Sequence, residues 1–137
     1  MRILVDTTVW VGYFEGVVSR ETDYLHGLLG QGCLETGDLI AAEVLAGYPQ
    51  PESFAMARNA LDRFYLHPLG GRDTALAAAG LTRCLRADHR VPTPNIVASL
   101  IAAYCLRKNL FLLHADPAFE PFEEHSGLRP ALPRRVI

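Results

Sequence analysis

Ile3-Leu4-Val5-Asp6-Thr7-Thr8-Val9-Trp10-Val11-Gly12-Tyr13-Phe14 changes its period within a few residues, and that change sets the fold class. Ile3–Val5 is a β-branched and apolar run, too short for a helix, and reads as a buried strand ending at Asp6. Thr7 and Thr8 are residues that start helices. Val9, Trp10, Tyr13 and Phe14 follow at helical spacing, and Gly16 closes the segment. A strand that passes into a helix across one acidic residue is the repeating unit of an α/β fold.

The same alternation continues outward. A helix is expected over about Glu21–Leu29, with Tyr24, Leu25, Leu28 and Leu29 on one face and Gly30 and Gly32 ending it. Cys33–Glu35 reads as a short strand. Thr36-Gly37-Asp38 then caps a helix over Leu39–Ala46, ended by Gly47 and Pro49. Pro51-Glu52 begins another helix through Phe64, because proline is tolerated in the first helical turn. Tyr65–His67 is a strand stopped by Pro68. Asp73 or Thr74 caps an alanine-rich helix to about Leu85. Pro94 opens a helix through Lys108, and Phe111–Leu113 is the last core strand. The proline-rich tail from Gly127 carries no clear period. Strands alternating with helices predict a mainly parallel sheet covered on both faces, an α/β/α sandwich. No repeat or linker divides residues 1–137, which are expected to form a single domain.

Composition narrows the function classes. Half of the 137 residues are hydrophobic and 20% are charged, enough apolar surface for a real core. No run approaches the ~20 apolar residues of a membrane span. The acid at Asp6 interrupts what a secretory signal would keep apolar, so export is not expected. Cys33, Cys84 and Cys105 form no short pair; an odd count reads as reduced, mostly buried thiols in a cytoplasm. Histidines 26, 67, 89, 114 and 125 lack ligand spacing, which argues against zinc. His114, two residues before Asp116, is either a groove residue or a strand-end surface residue. Ser99 has no motif-linked histidine, so a serine nucleophile is unsupported.

Charge is unevenly spread. Residues 1–71 carry nine Asp or Glu against four Arg, whereas residues 72–137 carry nine Lys or Arg against six acids. Lys108 is the only lysine, and arginine forks suit phosphates better than ammonium groups do. Arg83, Arg86 and Arg90 recur at helical spacing and can line a nucleic-acid groove, with plain surface placement as the alternative.

Three acids stand out. In an open parallel sheet, ligands gather beyond the carboxyl ends of the strands, where strand order reverses. Asp6 follows the first strand and Asp116 the last. Each can also be an ordinary helix or turn cap. Glu43 sits in the apolar run Leu39–Ala46 with no cation at i±3 or i±4, and a carboxylate there needs solvent or a partner.

Taken together, the segments ILVDTTVWVGYF, IAAEVLAGYP and LIAAYCLRKNLFLLHADPAFEPF resemble the PIN-domain ribonucleases, VapC toxins in particular, over essentially the whole chain and in the right order. The resemblance implies a PIN-like α/β sandwich and a metal-dependent endoribonuclease that hydrolyses RNA to 5′-phosphate and 3′-hydroxyl ends. It makes Asp6, Glu43 and Asp116 the catalytic acids. Asp6 and Asp116 are metal ligands, direct or through water, and Glu43 holds a second ion or orients the attacking water. Thr7 supports Asp6 or a metal-bound water. The implied cofactor is Mg2+, with Mn2+ as a substitute, because hard cations take oxygen ligands and activate water. The implied partners are a VapB-type antitoxin, an RNA substrate and a second copy in a homodimer. The family has one further acidic ligand that falls at position 98, where this chain has Ala98. That departure raises the alternative of a catalytically silent PIN-like protein that binds RNA or antitoxin. A phosphoacceptor receiver domain fits poorly: Asp6 stands alone after the first strand, and Lys108 precedes the last strand rather than following it.

Overall fold

The computed structural model describes residues 1–133. Four short strands, β1 (Ile3–Val5), β2 (Leu34–Gly37), β3 (Tyr65–His67) and β4 (Phe111–Leu113), form one sheet in the order β3-β2-β1-β4. Every pairing is parallel, with Ile3 opposite both Leu34 and Phe111. The helices are α1 (Thr7–Phe14), α2 (Arg20–Leu28), α3 (Asp38–Ala46), α4 (Pro51–Leu61), α5 (Arg72–Arg86), α6 (Ile96–Lys108) and α7 (Glu120–His125).

Topology follows from handedness. From β1 through β2 to β3 the chain steps one way across the sheet, and right-handed crossovers place α1 to α4 on one face. The return from β3 to β4 steps the other way and places α5 and α6 on the opposite face. Packing agrees: α1 meets α2 and α3, α3 meets α4, and α5 meets α6 and α7. The fold is therefore the expected α/β/α sandwich. Ile3, Leu4, Val5, Leu112 and Leu113 are fully buried between the layers. Strand order reverses at β1 and β4, so the crevice for a ligand opens beyond Val5 and Leu113.

Several boundaries differ from the sequence reading, each for a local reason. Helix α2 begins at Arg20 because Ser19 caps it, in a reciprocal box with Thr22. Strand β2 runs to Gly37, so Thr36 and Gly37 belong to the sheet. Asp38 does act at the start of α3, accepting the Leu39 amide at 2.7 Å. Helix α4 ends at Leu61, three residues short of Phe64. Helix α5 is preceded by Gly71 at φ 96°, and neither Asp73 nor Thr74 caps it; Thr74 is buried and accepts from Arg107 at 2.7 Å. Helix α6 starts at Ile96, capped by Asn95 rather than opened by Pro94. The tail from Gly127 has a structural place as far as it is described. Arg129 and Ala131 hydrogen-bond to Leu112 and extend the sheet's β4 edge. Cys105 is buried, with its thiol pushed up to about 12 by burial, and Cys33 is half-buried, but Cys84 is exposed on α5. Among the described residues, no helix is long and apolar enough to cross a membrane.

Candidate active site

Residues from β1, α1, α3, α6 and the turn after β4 meet in one cleft at the carboxyl edge of the sheet. Its free volume is about 110 Å³, and Asp6, Glu43 and Asp116 all line it. Among the described residues, no lysine, arginine or histidine does. The sequence-predicted acids therefore converge from three separate segments.

Asp6 is only 4% exposed. Its amide donates to the Leu113 carbonyl at 2.9 Å, which ties the end of β1 to the end of β4. It occupies the N-cap position of α1 but makes no side-chain capping bond, so the plain capping role does not hold. Its carboxylate instead accepts from the Thr8 hydroxyl at 3.1 Å. Burial raises its pKa; the Thr7 and Thr8 amides, the Thr8 hydroxyl and nearby His114 offset part of that rise. A buried carboxylate whose cleft is lined by no cation among the described residues is a place where positive charge is favoured.

Asp116 combines two jobs. It caps the short 3-10 turn Pro117–Phe119 by accepting the Ala118 amide at 2.9 Å, and it lines the cleft as well. Its own amide donates to His114 Nδ1 at 3.2 Å. His114 is half-buried and does not line this cleft, but it lines a neighbouring groove that Asp116 also borders; its Nε2 faces Glu123 at 3.4 Å and its ring packs on Phe119. Glu43 sits on the exposed side of α3 and accepts from the Thr7 hydroxyl at 3.3 Å. The two threonines thus divide the acids between them: Thr7 bonds Glu43, and Thr8 serves Asp6. Consecutive helical positions point about 100° apart, so adjacent hydroxyls reach different partners.

Ala98 lines the same cleft and is 4% exposed, in the first turn of α6. Its amide is bonded by the Asn95 side chain at 2.7 Å. The position where the family resemblance calls for an acid is therefore at the site, and a methyl group occupies it. Ser99 turns away toward α5, bonded to Thr82 at 2.8 Å and to the Asn95 carbonyl at 3.2 Å, with no histidine beside it. Trp10 is buried in the core against Phe14 and Phe64.

Thr8 and Asn95 are cleft residues that sequence reasoning did not single out. Asn95 carried a signal, since asparagine before an apolar helical run is a good N-cap. Thr8 carried none beyond its neighbour Thr7. Arg83 and Arg86 are exposed in the last turn of α5, and Arg90 is exposed with its guanidinium on Asp88 at 3.1 Å; none of the three lines the cleft.

Among the described residues, no group of three or more His, Cys, Asp or Glu side chains is gathered as a metal site. The donors lining the cleft are oxygen-only, with Asp6 and Asp116 as carboxylates at strand ends. This set does not suit a soft or fully caged ion. It does suit magnesium, which keeps several waters and asks for one or two carboxylates.

No family model matches the sequence. Solved structures do resemble the fold. A VapBC2 structure from Rickettsia felis, bound to a DNA fragment from its promoter, matches with a TM-score of 0.74 at 16% identity, covering 95% of this chain and 97% of that one. A toxin–antitoxin complex from Klebsiella pneumoniae matches at 0.70 and 18% identity, over 91% and 93%. VapC20 from Mycobacterium tuberculosis, a sarcin-ricin loop cleaving toxin, matches at 0.63 and 14% identity, over 87% and 93%. Over nearly its whole length the chain therefore has the PIN-like α/β fold of solved VapC-type toxin–antitoxin structures.

Proposed function

We propose that this chain is a magnesium-dependent endoribonuclease toxin of a VapBC-type module. The observation that carries this reading is the convergence of Asp6, Glu43 and Asp116, from three distant segments, on one cleft that no cationic side chain among the described residues lines. The cleft lies where strand order reverses, the expected place for chemistry in such a sheet. The fold shared with solved toxins, one of them described as cleaving the sarcin-ricin loop, supports the same reading.

Asp6 and Asp116 are the residues that would hold magnesium, or manganese in its place. Bound there, the ion supplies charge neutralisation at the phosphodiester and a lowered pKa for its water. Glu43, held by Thr7, is placed to orient the attacking water or to take a second ion. Arg83 and Arg86, with Arg90, supply cations for an RNA backbone outside the cleft. The partners follow from the same reading: a VapB-type antitoxin that brings positive charge to the acid cleft, an RNA substrate and a second copy of the chain.

A second reading has its own observation. With Ala98 in the cleft and no gathered metal group among the described residues, the chain can be a catalytically silent protein that holds RNA or antitoxin. One experiment separates the two. Magnesium-dependent cleavage of a broad RNA panel is compared for this chain, Asp6→Asn and Ala98→Asp. The nuclease reading expects Ala98→Asp to cut at least tenfold faster, since a lost site component commonly costs 10–100-fold. Asp6→Asn and chelator should abolish cutting. Cleavage by neither this chain nor Ala98→Asp favours the silent binder.

A further inference from the structure

We propose that Thr8 is a positioning residue that sets Asp6 and the turn carrying Asp116 in one geometry. This rests on the reading of the cleft as a metal-dependent active site.

The direction of the hydrogen bonds is what assigns the role. The Thr8 hydroxyl accepts the Ala115 amide at 3.3 Å, and an amide can only donate. The single hydroxyl proton is then left for the Asp6 carboxylate, 3.1 Å away. Thr8 is thereby a one-way bridge from the β4 turn to Asp6. Main-chain bonding between the two strand ends stops at Asp6, whose amide donates to Leu113. Ala115 lies two residues further on and immediately precedes Asp116. The Thr8 bridge thus carries the tie between β1 and β4 up to the level of the two carboxylates.

An aspartate at a helix N-cap is ordinarily oriented by a close bond from the amides of the first turn. Here the Thr7 and Thr8 amides favour the Asp6 carboxylate without forming a capping bond, and the Thr8 hydroxyl is the side-chain donor bonded to it, at 3.1 Å. Thr8 sits at the mouth of the cleft and lines it beside Asp6 and Asp116. It is not itself a ligand. It acts through the orientation of Asp6 and the placement of the Ala115–Asp116 backbone, as residues behind metal ligands do.

Val replaces Thr with nearly the same shape and no hydroxyl, whereas Ser keeps the hydroxyl. Two measurements on the full chain follow. The first needs no metal: amide hydrogen exchange at Ala115 should accelerate about tenfold in Thr8→Val and stay near the parent rate in Thr8→Ser. The second is Mn2+ binding, read from the loss of the free-ion paramagnetic resonance signal. Thr8→Val should weaken it about tenfold or more, and Thr8→Ser should restore it to near the parent value. Melting temperatures of the variants confirm that each is folded. Asp6→Asn is the control. If Asp6→Asn loses Mn2+ binding while Thr8→Val binds like the parent, the role of Thr8 is overturned and the metal reading stands. If Asp6→Asn binds like the parent, the metal reading of the cleft falls, and this proposal with it. Parent-like exchange at Ala115 in Thr8→Val overturns the bridge whatever the metal does.

Discussion

Asp6 shows the cost of a site at the scale of one residue. Burial raises its pKa above the ordinary 3.8, so the charged form is the one the fold disfavours. A raised carboxylate contributes stability that is present below its unfolded value and lost as pH rises through its folded value. At neutral pH without metal, Asp6 therefore weakens the fold. Asp6→Asn should raise the melting temperature in chelator by about 3 °C, corresponding to about 1 kcal/mol, while removing metal binding. Differential scanning calorimetry at pH 7 and at pH 4 checks it, and the difference between variant and parent should shrink at the lower pH. An Asn variant that melts lower at pH 7 would show that the carboxylate is a net structural asset. The acids themselves were legible in the sequence because each sat where its neighbours gave it little other work: two at strand ends and one in an apolar helix. The division of labour between Thr7 and Thr8 was not legible, because it depends on which way each hydroxyl turns once the first turn of α1 is formed.

At the scale of elements, two devices hold the sheet under the cleft. Glu35 on β2 accepts both forks of Arg2 at 3.1 Å and a short hydrogen bond from His67 on β3, whose other ring nitrogen meets the Tyr104 hydroxyl of α6 at 2.7 Å. Burial pushes the Glu35 carboxyl up, but the bonds from Arg2 and His67 outweigh it and hold the group below its ordinary 4.5. The sign is the reverse of Asp6: this stability is present above the ordinary carboxylate range and is lost as pH falls through the folded value. Glu35→Gln should cost about 2 kcal/mol at pH 7, less than breaking a fully buried pair because the Arg2 side chain is half-exposed, and less again below pH 4. Urea titrations at the two pH values measure it. The second device is Gly37 at the end of β2, where an added methyl would stand 2.6 Å from Leu69 Cγ and 2.3 Å from its Cδ1. Leu69 is fully buried and its amide is held by Asp38, so it has little room to yield. Gly37→Ala should destabilise by about 1–3 kcal/mol, the range of overpacked cores, seen as a lower urea midpoint with an unchanged slope. The strands were readable because Ile3–Val5, Tyr65–His67 and Phe111–Leu113 are short apolar runs between breakers. The helix starts were less so. Ser19 caps with Thr22 instead of the Glu or Gln that marks a capping box, and Gly71 starts α5 through a backbone conformation that no side-chain pattern announces.

Across the whole molecule, two of the three cleft acids, Asp6 and Glu43, come from the acidic first part of the chain, whereas the positive charge gathers in the second. Two bonds show how the fold brings them together. Arg107 reaches Thr74, and Thr82 meets Ser99, so α5 and α6 run antiparallel with the end of α5 beside the start of α6. That start carries Asn95 and Ala98, which line the cleft. The exposed last turn of α5, with Arg83 and Arg86, is thereby placed at the cleft's end of the sandwich rather than at the opposite edge. On the proposed nuclease reading, this separation of signs would place cations along the RNA backbone path and acids where a metal would sit. Arg90 contributes less, because Asp88 already occupies its fork. Binding of a single-stranded RNA to the Asp6→Asn chain, which should not cut it, isolates the electrostatic part. Arg83→Ala and Arg86→Ala should each weaken that binding for every sequence tested and lower the slope of log affinity against log salt by about 0.7, the value for one phosphate contact on a single strand. Arg90→Ala should change the slope by less than either. Fluorescence anisotropy from about 50 to 300 mM salt, over which the screening length falls from roughly 14 to roughly 6 Å, resolves these differences. Slopes that stay at the parent value in both Arg83→Ala and Arg86→Ala would place the RNA path on another face of the sandwich.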